Sequence, residues 1–258
     1  MNKTSLKSFL ESAYLKYNKF ENIHPDPLEF VYLYKSDQDR EIVGLIAASL
    51  AYGRVKQILV SVAKVLDVLG NNPKTFIESA DRDYLNKAFS SFKHRFTTGE
   101  EVVELLMGIK GAIREYGTLG GCFISCLNRS ESEITQALFL FRHELMKNSV
   151  LKENSLLPCP SRKSACKRFY MYLRWMIRKD DVDPGCWKDI PASILIIPLD
   201  THMHSVSLEL GLTGRKQADI KTAIEITQSL KKVCPNDPVK FDFCLTRPGI
   251  WGLNKTIC

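Results

Sequence analysis

Val55-Lys56-Gln57-Ile58-Leu59-Val60-Ser61-Val62-Ala63-Lys64-Val65-Leu66-Asp67-Val68-Leu69-Gly70 places Val55, Ile58, Leu59, Val62, Leu66 and Leu69 at intervals that keep to one face of an α-helix. Gly70 closes the run, where a helix C-terminus favours a residue without Cβ. Working outward, the same period recurs on both sides. A helix is expected around Leu6 to Tyr17. Another, capped by Asp37 or Asp39, should run to about Ala51 with Ile42, Leu45, Ile46 and Ser49 on one side and Gly53 ending it. Thr98 precedes a helix from about Glu100 to Tyr116, whose early glutamates suit a positive helix end, and Gly117 stops it. Ser130 and Glu133 have capping-box spacing ahead of Ile134 to Met146. Thr213 is expected to open a helix from Gly214 to Val233, terminated by Cys234-Pro235. No series of alternating strands with hairpin turns interrupts this pattern. The fold class expected is all-α, a single two-lobed domain over residues 1–258, with lobes near 40–155 and 156–258, the latter joined by 1–39.

Composition sets the outer limits. Of 258 residues, 45% are apolar and 25% charged, as in an ordinary folded domain. No apolar run approaches the roughly 18 residues a membrane span needs, and no hydrophobic signal segment opens the chain, so a cytoplasmic protein is expected. Cys122, Cys126, Cys159, Cys166, Cys186, Cys234, Cys244 and Cys258 are scattered without a CxxC pair, which fits free thiols better than disulfides or an iron–sulfur cluster. The net charge of +7 and pI of 8.9 favour a polyanionic partner, nucleic acid above all.

Two segments carry candidate chemistry. The first, Ile196-Ile197-Pro198-Leu199-Asp200-Thr201-His202-Met203-His204-Ser205-Val206, delivers an aspartate onto the start of a helix that continues through Leu210 to Gly211. A carboxylate there accepts hydrogen bonds from exposed backbone N–H groups and stays ionised at the positive helix end. Its residues fit a structural cap as well as a reactive group. The second, Leu157-Pro158-Cys159-Pro160-Ser161-Arg162-Lys163-Ser164-Ala165-Cys166-Lys167-Arg168, reads as a turn followed by a helix from Ser164 to about Lys179. On it Ala165, Phe169, Tyr172, Leu173 and Met176 share one face, while Lys163, Lys167, Arg174 and Arg178 fall opposite, either as a solvated face or as a phosphate-contacting one.

Together these segments resemble the helix-hairpin-helix DNA glycosylase superfamily, the group of endonuclease III and the archaeal 8-oxoguanine glycosylases. Leu157-Pro158, Lys163, Ser164 and Ala165 match its hairpin pattern, and Leu199-Asp200-Thr201-His202 with Val206 matches its catalytic-aspartate segment. Cys159 and Ser161 stand where that hairpin has glycines, and 37 residues separate Lys163 from Asp200 (200 − 163), with an insertion around Lys179 to Pro191 accounting for the excess. The chain is thus similar to a bacterial branch with a degenerate hairpin, in which Lys167 takes the position of the nucleophile in place of Lys163.

The resemblance implies a two-lobed bundle of the helix-hairpin-helix glycosylase type, acting in base-excision DNA repair as a glycosylase with associated lyase activity. Its partner would be double-stranded DNA with a damaged base, the protein a monomer, and no cofactor or metal would be required. Asp200 would stabilise charge on the sugar, Lys167 or Lys163 would form a Schiff base, and Ser161, Arg162, Arg174 and Arg178 would hold phosphates. Tyr52, Trp175, Trp187 and Phe243 are candidates for filling the gap left by a flipped base or stacking on it, as well as for plain core packing. Lys93, His94 and Arg95 form a smaller basic cluster. Two alternatives remain open: a non-catalytic nucleic-acid-binding protein on the same scaffold, and a metal-dependent hydrolase using His202 and His204. The second is disfavoured because residues two apart on a helix diverge by roughly 200°.

Overall fold

The computed structural model describes residues 3–160 and 165–250, and most of them are helical. In chain order the helices are α1 (Lys3–Tyr17), α2 (Asp37–Leu50), α3 (Val55–Leu69), α4 (Pro73–Ser79), α5 (Arg82–Ala88), α6 (Gly99–Tyr116), α7 (Leu119–Arg129), α8 (Ile134–Met146), α9 (Lys167–Ile177), α10 (Thr201–Glu209), α11 (Ile220–Lys231) and α12 (Asp242–Ile250). The two-residue strands β1 (Lys93–His94) and β2 (Thr97–Thr98) pair antiparallel, Lys93 with Thr98 and His94 with Thr97. No helix among the described residues is long and apolar enough to cross a membrane.

The chain divides into two compact units, residues 24–161 and residues 1–23 together with 162–258. Residues 24–39, expected with the second lobe, belong instead to the first unit, because the 3-10 turn Pro27–Leu33 packs on α2 and α3.

In the unit of residues 24–161, α3 buries Ile58, Val62, Leu66 and Leu69 of the expected stripe together with Val65, while Val55 and Leu59 stay half-buried, and Gly70 ends it at φ 68°. Each such side chain contributes about 1.5–3 kcal/mol on full burial. Helix α6 packs against α7 and α8. At Gly108 the approach is so close that a Cβ would sit 2.1 Å from the Leu145 carbonyl oxygen. The buried Glu41 carboxylate of α2 accepts the N–H groups of Leu119 and Gly120 at 2.8 and 2.9 Å, fastening the start of α7 where a negative charge is favoured.

Several ends differ from expectation. Ser36 holds the N-cap position of α2, while the Asp39 carboxylate accepts from Lys74 N–H at 2.9 Å, 35 residues away. Glu133 itself caps α8 by accepting from Thr135 N–H at 3.0 Å, and Ser130 donates its hydroxyl to Leu127 at the end of α7, so the expected box does not form. Helix α11 begins only at Ile220, because the Asp219 carboxylate caps it through Thr222 N–H at 2.9 Å.

In the other unit α1 and α10 both pack on α12. Helix α9 is buried from Phe169 through Ile177. The expected solvent-facing basic stripe is therefore corrected: Arg174 and Arg178 are each 4% exposed and face interior carboxylates. No disulfide joins the described cysteines. Charge is divided unevenly, since residues 1–23 and 162–258 hold 20 Lys and Arg against 12 Asp and Glu, whereas residues 24–161 hold 16 against 17.

Candidate active site

The buried run Leu195 to Leu199 anchors the approach to the site, with Ile197 N–H donating to Thr227 Oγ1 of α11 at 3.0 Å. Asp200 follows in extended conformation and caps α10, its Oδ1 accepting from Met203 N–H at 2.9 Å. Its other oxygen meets Lys167 Nζ at 3.2 Å. Lys167 is the first residue of α9, and Cys166 before it adopts φ 45°, a left-handed turn that redirects the chain into the helix. The lysine and aspartate side chains keep 33% and 25% of their exposure, so solvent and a ligand can reach them. Burial pushes the Asp200 carboxyl up, but the Lys167 ammonium, the Met203 N–H and nearby His202 outweigh it and hold the group below the usual carboxylate range.

Behind this pair lies a buried ionic network. Arg174 contacts Asp242, the first residue of α12, and reaches Asp183 at 3.1 Å. Arg178 contacts Asp183 and binds Asp180 at 2.8 Å and Asp237 at 2.9 Å. Tyr14 and Asn18 of the N-terminal segment each donate to Asp180 at 3.0 Å. Burial pushes Asp183 up to about 6 against the pull of both arginines. Asp242 is likewise raised by burial, with Arg174 opposing and the Asp200 charge adding to the rise.

Of the residues singled out from sequence, the structure brings together Lys167 and Asp200. Ser161, Arg162 and Lys163 lie outside the described residues. Arg174 and Arg178 are committed to carboxylates and are not available to phosphates. Trp175 and Phe243 are core residues at 0% and 2% exposure, and Trp187 packs edge-on to Tyr172 with ring centroids 5.3 Å apart. His204 Nε2–H donates to the Arg215 backbone carbonyl oxygen at 2.8 Å. His202 faces solvent, so the two imidazoles do not converge.

The unit of residues 24–161 carries a separate aromatic feature. Tyr52 stacks on Phe96 with centroids 5.0 Å apart, and Phe96 is 63% exposed at the turn between β1 and β2. Exposed Lys93 and Arg95 precede Phe96 in sequence, and exposed Arg54 follows Tyr52 and Gly53. Gly53, at φ 96°, leaves room for the Arg95 side chain, which a Cβ would meet at 2.9 Å. His94, expected in the basic cluster, is instead fully buried, 2.8 Å from Ser61 Oγ and 3.1 Å from the Tyr52 carbonyl.

Sequence reasoning missed Asp242 and Phe96. Asp242 stands between Phe241 and Phe243, where a charged residue needs an interior partner, and Phe96 is an apolar residue within a basic run. The chain belongs to the family described as "Protein of unknown function (DUF2400)", whose model matches residues 26–251. No curated protein and no solved structure matches it.

Proposed function

We propose that the protein is a DNA base-excision glycosylase with associated lyase chemistry, working on double-stranded DNA that carries a damaged base. The observation that carries this reading is the Lys167 Nζ to Asp200 Oδ2 contact of 3.2 Å, partly open to solvent at the head of two helices. The helical content, the charge excess on the unit that holds the pair, and the resemblance of the Asp200 segment to the helix-hairpin-helix glycosylases support it. The two-lobed bundle of that superfamily is part of the same proposal, as is a monomer acting alone.

In this mechanism the target nucleotide leaves the stack, at a cost of a few kcal/mol. As the bond from C1′ to the base nitrogen breaks, positive charge grows on the sugar and the Asp200 carboxylate stabilises it. The Lys167 ammonium gives up a proton, which the departing base receives, and the freed amine forms the new bond to C1′. Ring opening yields an imine. Loss of a C2′ proton then expels the 3′ phosphate and nicks the strand.

Borohydride trapping on duplexes carrying 8-oxoguanine, oxidised pyrimidines, uracil or an abasic site tests the reading. A covalent adduct that disappears in Lys167→Gln is expected. Base release without an adduct would leave Asp200 acting with water as nucleophile. Neither product on any duplex, with DNA binding intact, would overturn the proposal in favour of a binding protein.

A further inference from the structure

Two charged pairs are stacked along one face of α9. Arg174 lies two turns on from Lys167, so both side chains leave the helix in nearly the same direction. Lys167 takes Asp200, the cap of α10, and Arg174 takes Asp242, the first residue of α12. Since α10 packs on α12, the two carboxylates come from adjoining elements. Their settings differ: the Lys167–Asp200 pair is partly exposed, while the Arg174 and Asp242 side chains are each 5% exposed.

We propose that Asp242 is a positioning residue for the Lys167–Asp200 pair: clamped by Arg174, its buried carboxylate backs Asp200, and the acid-side pH dependence of the site belongs to Asp242. The catalytic consequence rests on the reading of Lys167 and Asp200 as the reacting groups. Two carboxylates close together cannot both shed protons at their ordinary values, and the more buried one retains its proton longer. Here that one is Asp242, whose carboxyl burial and the Asp200 charge hold high, while Lys167 holds Asp200 low. On the acid side Asp242 therefore becomes neutral first. The site then loses one of two negative charges behind a sugar that becomes positive, and base release slows.

Among the described residues, the carboxylate whose charge acts on Asp242 is Asp200. From α9 come Arg174 and Lys167, and from the head of α10 Asp200. His202 acts on Asp200, and His204 is bonded to the Arg215 carbonyl. From α1, Glu11 is paired with Lys240 at 2.8 Å and Tyr14 donates to Asp180. On α12 itself, burial and the Asp242 charge both push the Cys244 thiol up, so it stays neutral. Arg247 donates to the Ile23 carbonyl at 3.3 Å. Asp183 shares Arg174 and is itself pushed up by burial to about 6, but its further partners are Arg178 and Asp180 rather than Lys167 or Asp200, so its titration falls on the buried network.

The test uses the full chain with 13C-labelled aspartate. The carboxyl resonances, assigned through the backbone of each variant, are titrated in wild type, in Asp242→Asn and in Asp200→Asn. The Asp242 carboxyl is expected to titrate above the ordinary aspartate range in wild type. It should move down by about one pH unit in D200N, where the like charge is gone. Asparagine keeps the α10 cap, so this arm stands even where D242N fails to fold. In parallel, single-turnover adduct formation is followed against pH. Wild type should decline through the Asp242 midpoint, D242N should lose that limb at unchanged DNA affinity, and Asp242→Glu should restore it. An Asp242 titration identical in wild type and D200N, or the same acid limb in D242N, overturns the proposal. Coupled titration in a protein that processes no duplex upholds the pairing of the carboxylates and sinks the glycosylase reading alone.

Discussion

Asp200 does two jobs with its two oxygens, and substitutions can separate them. Oδ1 caps α10 and Oδ2 holds Lys167. Asp200→Asn retains a capping oxygen, so its stability cost is expected to stay under about 1 kcal/mol, whereas Asp200→Ala should lose about 1 kcal/mol more. Both should lower base release by about 10²–10³-fold, the scale of losing one preorganised charge at a developing ion. Thermal melts beside single-turnover assays read the two effects separately. Because the folded carboxyl lies below its ordinary range, the stability it adds is present above the unfolded value near 4 and is lost as pH falls through the folded one. Wild type and D200N should therefore melt furthest apart at neutral pH and converge in strong acid. Lys167→Arg keeps a cation for Asp200 but no Schiff-base nitrogen, so it should hold the melt and abolish the borohydride adduct. Asp200 was legible because apolar lead, carboxylate and helix are contiguous in sequence. Lys163 and Lys167 could not be separated there, since both satisfy the same helical spacing; the structure places Lys167 against Asp200, and Lys163 lies outside the described residues.

At the scale of the element, α9 marks where the sequence stops being readable. Periodicity sorted its side chains into two faces, yet it carries no information on whether the polar face meets water or an interior partner. The partners of Arg174 and Arg178 lie as far away as Asp242 and Asp237, 68 and 59 residues along the chain. A helix with charges on one side and no exposed face needs such partners, because an unpaired buried ion costs several kcal/mol. Asp183, wholly buried between both arginines, is the sharpest probe. Asp183→Ala leaves two guanidinium groups short of an acceptor and should cost about 3–5 kcal/mol in urea unfolding, monitored by the fluorescence of buried Trp175. The β1–β2 hairpin gives a contrasting pair. His94→Ala removes a buried ring bonded to Ser61 and Tyr52 and should cost about 1–3 kcal/mol. Phe96→Ala removes an exposed one, should leave the unfolding midpoint within about 0.5 kcal/mol, and should weaken binding to lesion-bearing duplex. Loss of stability in F96A with unchanged DNA affinity would make the ring a packing residue.

Over the whole molecule the helical class was readable, because apolar stripes such as that of α3 repeat through the chain and helices need only local hydrogen bonds. The division into units was less so: a unit assembled from residues 1–23 and 162–258 depends on contacts such as Tyr14 with Asp180 and Glu11 with Lys240 that no local pattern encodes. That division changes the meaning of the net charge. The +7 of the chain is not spread evenly, for the split unit has 20 basic against 12 acidic residues and the other is close to balance. Two of these cations, Arg174 and Arg178, are spent internally, so the DNA contact proposed above would fall to exposed lysines such as Lys216 and Lys221. Lys216 follows the Arg215 carbonyl that holds His204, on the helix that Asp200 caps. Each phosphate contact releases a condensed counterion and adds about 0.9 to the slope of log affinity against log salt. Under the DNA-binding proposal, with Lys216 and Lys221 each meeting one phosphate, Lys216→Gln and Lys221→Gln should thus reduce that slope by about 0.9 apiece on an undamaged duplex. The same change at exposed Lys64 and Lys87 in the balanced unit should leave it alone. A slope that responds to Lys64 and Lys87 but not to Lys216 and Lys221 would move the DNA contact to the other unit and detach it from the Lys167–Asp200 site.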